Sequence, residues 1–203
     1  MNEVIKYKNN QGEFISYEQA INSSNYSTLY YVGDELKREE EIFNHKPFAG
    51  LYYLSSDEDP ITIIPKLNKN YQWDFLTKSI ENGYTVYTGK GYDDDFQLKS
   101  KYYKEVYNSR GEQIATVTLD SKTHNPKGAF KIFRFGDDDD ISFSFDDKGY
   151  LEEITISEMI LSNELHYTNL NSFLRDIEEF IGDFITQEEL GYYTNPNAIV
   201  PTF

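Results

Sequence analysis

Cysteine is missing from this chain of 203 residues. Disulfides, thiolate metal sites and cysteine nucleophiles are excluded with it, and so is a small secreted fold held by bridges. The absence favours a reducing compartment, so a cytoplasmic location is expected. Long apolar runs are missing too. No stretch reaches the roughly 20 residues of a membrane-spanning helix, and the start Met1-Asn2-Glu3-Val4-Ile5-Lys6 carries no apolar signal core. Positive charge is scarce: 19 Lys and Arg stand against 35 Asp and Glu, a formal net charge of -16. Phosphate and anionic lipid repel such a surface, so neither direct nucleic-acid binding nor membrane binding is expected. Catalytic signatures are also lacking. There is no phosphate loop, dinucleotide-binding glycine pattern, nucleophile elbow or zinc-protease helix. The three histidines, His45, His124 and His166, have no paired ligand spacing, so no metal and no cofactor is expected. The reading is a binding protein and not an enzyme.

Aromatic residues, by contrast, are abundant. With 18 Tyr and 14 Phe the chain has material for a packed core, which a disordered chain lacks. Its length fits one domain, residues 1–203, with hairpins over 1–167 and a helix and irregular tail over 168–203. Short runs of strand formers recur between turn residues. They are Thr28–Val32, Gly50–Leu54, Tyr84–Tyr87, Ile114–Leu119, Phe130–Phe135, Ile141–Phe145 and Leu151–Ile156. Ile141, Phe143 and Phe145 fall on one face of their strand by the period of two. Asp146-Asp147-Lys148-Gly149 reads as a turn, so the last three strands form an antiparallel meander. The expected fold class is α+β: mostly an antiparallel β meander of hairpins, with a C-terminal amphipathic helix packed on the sheet. That helix is read from Leu170, Phe173, Leu174, Ile177, Phe180, Ile181, Phe184 and Ile185, which follow helical spacing over 170–186. Asn169 or Asn171 can cap its start. Near the beginning of the chain, Ser16-Tyr17-Glu18-Gln19 has capping-box spacing and opens a short helix through Ile21.

A faint repeat runs through the hairpins. Gly33 and Gly50 lie 17 residues apart, as do Gly111 and Gly128. Each pair predicts a turn, strand, turn, strand unit, with glycine supplying positive φ at both turns. The stretch Tyr30-Tyr31-Val32-Gly33-Asp34-Glu35-Leu36-Lys37-Arg38-Glu39, followed by Asn44-His45-Lys46-Pro47-Phe48-Ala49-Gly50-Leu51-Tyr52-Tyr53, resembles one unit of the MORN-like hairpin repeats. Tyr107 to Phe133 resembles a looser copy. Phe145-Asp146-Asp147-Lys148-Gly149-Tyr150-Leu151 is similar to the tyrosine-aspartate repeats of large bacterial toxins. His45 departs from the MORN-like pattern, which usually has glycine before Lys46. Hairpin repeats of this kind occur in bacterial antitoxin and immunity proteins, so the resemblance implies inhibition of a toxin.

The acidic charge is concentrated. Residues 131–203 hold 16 acidic and 4 basic residues, a net of -12, while residues 1–130 hold 19 and 15. Three acidic runs stand out: Asp93-Asp94-Asp95, Asp137-Asp138-Asp139-Asp140 and Asp146-Asp147. None has the alternating ligand spacing of a calcium loop. As a charged rim they would attract a basic protein, with Tyr92 and Tyr150 as neighbouring aromatic anchors. The expected function is a cytoplasmic immunity protein that occludes a cognate toxin, with a nuclease the natural candidate because its cleft is basic. The alternatives are a hairpin scaffold for another protein, a carboxylate-dependent hydrolase and a mimic of nucleic acid.

Overall fold

The computed structural model describes residues 3–92, 98–135, 140–158, 163–177 and 185–203. Thirteen strands are present there: β1 Glu3–Lys8, β2 Phe14–Ile15, β3 Tyr26–Val32, β4 Glu35–Phe43, β5 Lys46–Leu54, β6 Gln72–Glu81, β7 Tyr84–Tyr92, β8 Leu98–Tyr107, β9 Gln113–Leu119, β10 Pro126–Arg134, β11 Asp140–Phe145, β12 Leu151–Glu158 and β13 Asn163–Tyr167. They form one sheet in the order β13 down to β3, then β1 and β2. The short helices are α1 Tyr17–Asn22, α2 Pro60–Ile63, α3 Leu170–Ile177 and α4 Gln187–Tyr193, with a 3₁₀ turn over Ile64–Lys66. None of the described helices is long and apolar enough to cross a membrane.

The sheet is mostly antiparallel, as the alternating sequence runs predict, but β5 and β6 pair in parallel, Ala49 opposite Gln72 through Leu54 opposite Thr77. A parallel neighbour needs a crossover. Here α2 and the 3₁₀ turn supply it, and the start is set by Asp59, whose side chain accepts from Ile61 N with Pro60 at the first helical position. The predicted capping box is present in α1: Ser16 Oγ accepts from Gln19 N at 3.2 Å, and Ser16 N donates to Gln19 Oε1 at 2.8 Å.

Three turns share one construction. In Asn9–Glu13, Asn108–Glu112 and Asp146–Tyr150 the first side chain accepts from the main-chain N–H two and four positions on. The fourth residue of each is a glycine at positive φ: Gly12, Gly111 and Gly149 at 83°, 79° and 82°. An Asx side chain mimics a turn's own hydrogen bond, and glycine takes the left-handed position without strain.

The glycine repeat divides differently from its sequence reading. Gly33 and Gly111 sit in turns at positive φ. Gly50 and Gly128 lie inside β5 and β10 instead. At Gly50 the reason is packing: a Cβ there would stand 2.5 Å from Cε3 of the Trp73 ring. The left-handed positions before β5 and β10 are filled by Asn44 and His45, at φ 51° and 58°, and by His124 at 59°. His45 thus occupies a conformation that glycine adopts more cheaply.

The chain divides into two compact units. The first comprises Met1–Lys78 and Gly89–Lys101, the second Ser79–Thr88 and Tyr102–Phe203. In the first, Trp73 and Phe75 are buried with Tyr71, Ile63, Ile64 and Leu67, so the crossover covers the sheet face next to β5 and β6. Trp73, the single tryptophan, is a core residue, and its Nε1 donates to Asn68 O at 2.8 Å. In the second unit the core runs from Val86, Val106 and Val117 through Ala129, Phe133, Ile141, Phe143, Phe145, Ile154 and Ile156 to Phe173 and Tyr193. Ile141, Phe143 and Phe145 share the buried face, as their spacing predicts.

The helix expected over 170–186 is described as α3 over Leu170–Ile177, and Phe180, Ile181 and Phe184 lie outside the described residues. Asn169 caps α3, its Oδ1 accepting from Asn171 N at 2.8 Å. Ile185 lies in a bend, and Thr186 opens the separate helix α4 with its own capping box to Glu189. The expected helix is thus described over Leu170–Ile177, and α4 begins beyond its expected end. Thr186-Gln187-Glu188-Glu189 has the spacing that marks a new helix start.

Candidate partner-binding groove

The second unit presents an open sheet face opposite its core. Thr116, Phe130, Ser144 and Glu153 stand in register across β9, β10, β11 and β12. Ile132, Ser142, Thr155 and His166 form the next row, from β10 to β13. The phase of β10 decides which side chains reach this face. Ala129, Lys131 and Phe133 take the buried positions, which turns Phe130 outward, 44% exposed. A groove of about 580 Å³ lies here, floored by Thr116, Thr118, Phe130 and Ser144. Asp146, Asp147 and Glu152 line its acidic side. Lys127 also lines it, but its Nζ is 3.8 Å from Asp120 Oδ2. Hydrogen bonds from Thr123 N and Lys122 N hold the Asp120 carboxyl below the usual range.

The β11–β12 turn positions the acids. Asp146 Oδ1 accepts from Lys148 N at 2.9 Å and Tyr150 N at 2.8 Å, so this carboxylate builds the turn. Asp147, next in the turn, is exposed. Tyr150 is 69% exposed at the turn's end. The structure thus brings together three of the sequence-derived residues: Asp146, Asp147 and Tyr150. Asp140 opens β11 directly opposite Arg134, with its Oδ2 3.5 Å from Arg134 Nη1. Tyr92 ends β7 in the first unit, its ring edge-on to Phe75 at 5.2 Å, and burial, with Asp59 nearby, raises its phenol pKa. Asp93, Asp94, Asp95, Asp137, Asp138 and Asp139 lie outside the described residues.

Sequence reading missed Phe130 as a surface group, because a phenylalanine in an apolar run looks like core. Lys131 beside it misleads in the same direction, because a lysine reads as the solvent side of a strand and would put Phe130 inside. Lys131 is fully buried, and its Nζ donates to the carbonyls of Tyr192, Asn195 and Ala198, each at 2.7 Å. The ammonium also sits 3.8 Å from the centre of the Tyr192 ring. Burial pushes its pKa down to about 7. The three carbonyls and the ring oppose that push, since each N–H of the charged form has an acceptor. Lys131 thereby ties β10 to the C-terminal segment, where Tyr192 O–H also donates to Ile199 O at 3.1 Å.

The histidines occupy separate places. His45 and His124 shape turns, and the His124 ring lies 4.8 Å from that of Tyr102. His166 Nδ1 is 2.8 Å from Glu153 Oε1 and 3.3 Å from Thr155 Oγ1 on the open face. Among the described residues no three His, Asp or Glu side chains are grouped to hold a metal ion. The first unit has a smaller groove of about 400 Å³ beside the exposed pair Phe43 and Phe48, with Glu39 bound to Lys8 at 2.9 Å in its wall. What the larger groove offers chemically is a flat hydroxyl-bearing floor, one exposed aromatic ring and an anionic rim. No protein-family model matches the chain, and no curated protein or solved structure matches it either.

Proposed function

We propose that this chain binds a basic protein through its acidic C-terminal third, and more finely that it is a cytoplasmic immunity protein that occludes a toxin. The observation that carries the reading is the charge distribution: residues 131–203 hold a net of -12 out of -16. Like charge gathered in one region destabilises a compact state by self-repulsion. A basic partner turns that cost into attraction. A toxin that holds phosphate uses Lys and Arg, and a carboxylate surface pairs with the same groups, which makes a nuclease the first candidate. Long-range attraction raises the association rate, and contacts such as those of an exposed aromatic ring set the dissociation rate. The hairpin-rich sheet supports the same reading, because its open strand faces offer area without a deep cavity. Covering of the opposite face by the C-terminal amphipathic helix belongs to this proposal, supported by Phe173, whose ring lies 5.6 Å from Phe143 and 5.8 Å from Tyr167.

The test is a pull-down from the native organism with the full chain as bait, read by mass spectrometry. One basic protein, recovered at low salt and toxic when expressed alone, is the expected result. Its association rate should fall with added salt and on changing Asp137, Asp138, Asp139 and Asp140 to Asn. Recovery of several structural proteins with no toxic partner would overturn the immunity reading in favour of a hairpin scaffold.

A further inference from the structure

We infer that the groove over β9–β12 receives an arginine side chain of the partner, laid on the Phe130 ring with its guanidinium against Asp147 and Glu152. This rests on the proposed basic partner and names the chemistry of its contact. Four observations bear on it. The groove is a wide, open depression of about 580 Å³ on the strand face. Phe130, a large apolar ring 44% exposed, lines it beside carboxylates. Asp146 is engaged by two N–H groups of its turn, so it holds the exposed Asp147 in place at the rim. The groove's own cation, Lys127, lies toward Asp120 on the strand flank.

An aromatic face beside carboxylates suits a guanidinium better than an ammonium. The guanidinium is planar, stacks on the ring, is weakly hydrated and bonds a carboxylate through two N–H groups at once. In the first unit a guanidinium also lies on a ring near a carboxylate, though its Nε makes no hydrogen bond among the described residues. There Arg38 lies 3.8 Å over the Tyr30 ring, with its Nε 3.5 Å from Glu40 Oε1. In the second unit the groove supplies the ring and the acids, and charge complementarity assigns the missing cation to the partner. Thr116 and Ser144, flanking Phe130 in register, give hydroxyls that can bond the partner's main chain.

The experiment is a titration of the ¹⁵N-labelled full chain with a capped hexapeptide carrying two arginines, followed by amide shifts. Parallel titrations use the same peptide with lysine or with citrulline, which keeps the shape of arginine and loses its charge. Saturable shifts centred on Phe130, Ser144, Asp147 and Glu152 are expected. Binding should be at least about 3-fold weaker with lysine, in line with the loss of ring stacking and two-point pairing, and absent with citrulline. Phe130→Ala and the pair Asp147→Asn with Glu152→Gln should each weaken the arginine peptide, while their spectra elsewhere stay unchanged and so exclude misfolding. Equal binding of the lysine peptide, shifts centred elsewhere, or no saturation would overturn the inference. Failure of the basic-partner reading looks different. The peptide would still saturate the groove, but the pull-down would return no basic protein.

Discussion

The two units solve the same problem by different means. A single sheet must hide one face from water, and each unit takes its cover from a different part of the chain. In the first unit the cover is local: the connection from β5 to β6 folds back as α2 and the 3₁₀ turn, and sets Ile63, Ile64 and Leu67 against Trp73 and Phe75. In the second it is remote. Tyr193 reaches Phe133 and Phe143 from 50 or more positions away, with ring centres at 5.4 and 6.0 Å, and Lys131 fastens the same segment through three carbonyls. The lysines beside the two covers differ accordingly, Lys37 being partly buried and Lys131 fully so. Lys37 in the first unit bonds Glu58 at 2.7 Å, along with Ser55 Oγ and Tyr53 O. Lys131 faces only carbonyl dipoles and a ring in its described contacts. A cover built from adjacent residues closes a shorter loop, whereas the remote one closes a longer loop at a modestly higher entropy cost, to which the Lys131 contacts are opposed.

The largest effect that would break this contrast is at Lys131. Lys131→Met leaves three buried carbonyls without their donor and should lower stability by about 3 kcal/mol, measured by urea denaturation. Its pH dependence sharpens the test. In the folded chain burial brings the ammonium pKa to about 7, below its ordinary 10.5. The unfolded chain therefore binds more protons between those values, and the contribution of Lys131 makes stability rise with pH across that window. Lys131→Met should abolish that rising limb. An unchanged slope would show that this lysine is not held in a desolvated site. The first unit should show the opposite sign. Burial, then Glu40 or Glu58, raises the phenols of Tyr30 and Tyr52 to about 12, and burial, then Glu40, does the same for Tyr71. Their contribution is present below pH 10 and is lost as pH rises through about 12, in wild type and variant alike.

The next effect belongs to the local cover. Gly50→Val forces a side chain into the Trp73 ring and should cost about 1–3 kcal/mol by overpacking, read as a lower melting temperature with altered tryptophan fluorescence. A neutral result would mean that Trp73 does not rest on β5. The smallest effect separates structure from charge in the β11–β12 turn. Asp146→Asn keeps the oxygen that accepts from Lys148 and Tyr150, so stability should change by no more than about 0.5 kcal/mol, whereas Asp146→Ala removes it and should cost about 1 kcal/mol. Equal losses from both would show that the carboxylate charge, and not the turn hydrogen bonds, is what the site needs.

Most of the strands could be read from the chain, because their side-chain period of two is a local property. Ile141-Ser142-Phe143-Ser144-Phe145 shows its buried face without any knowledge of neighbours, and β10 to β12 form the meander their turns predict. Ser16 to Gln19 was equally legible, since a capping box involves only four residues. Phase was not legible in β10. In sequence Phe130 with Ile132 reads as the apolar face and Lys131 with Phe133 as the more polar one. Only the carbonyls of Tyr192, Asn195 and Ala198 make the lysine face the inner one and leave Phe130 in the groove. The same limit applied to the glycine pairs, where Gly33 answers to its own φ but Gly50 answers to a tryptophan 23 positions away.

By itself the sequence determined the charge imbalance, the hairpin rhythm and the turn chemistry of residues such as Asp146 and Gly149, all of which depend on neighbours within a few positions. Tertiary structure alone decided the parallel pairing of β5 with β6, the burial of Trp73 and Lys131, and the joining of Phe130 with Asp147 and Glu152 at one groove. Those outcomes turn on which distant surfaces exclude water together. No short-range pattern encodes that choice, because desolvation acts on the finished packing and not on the chain.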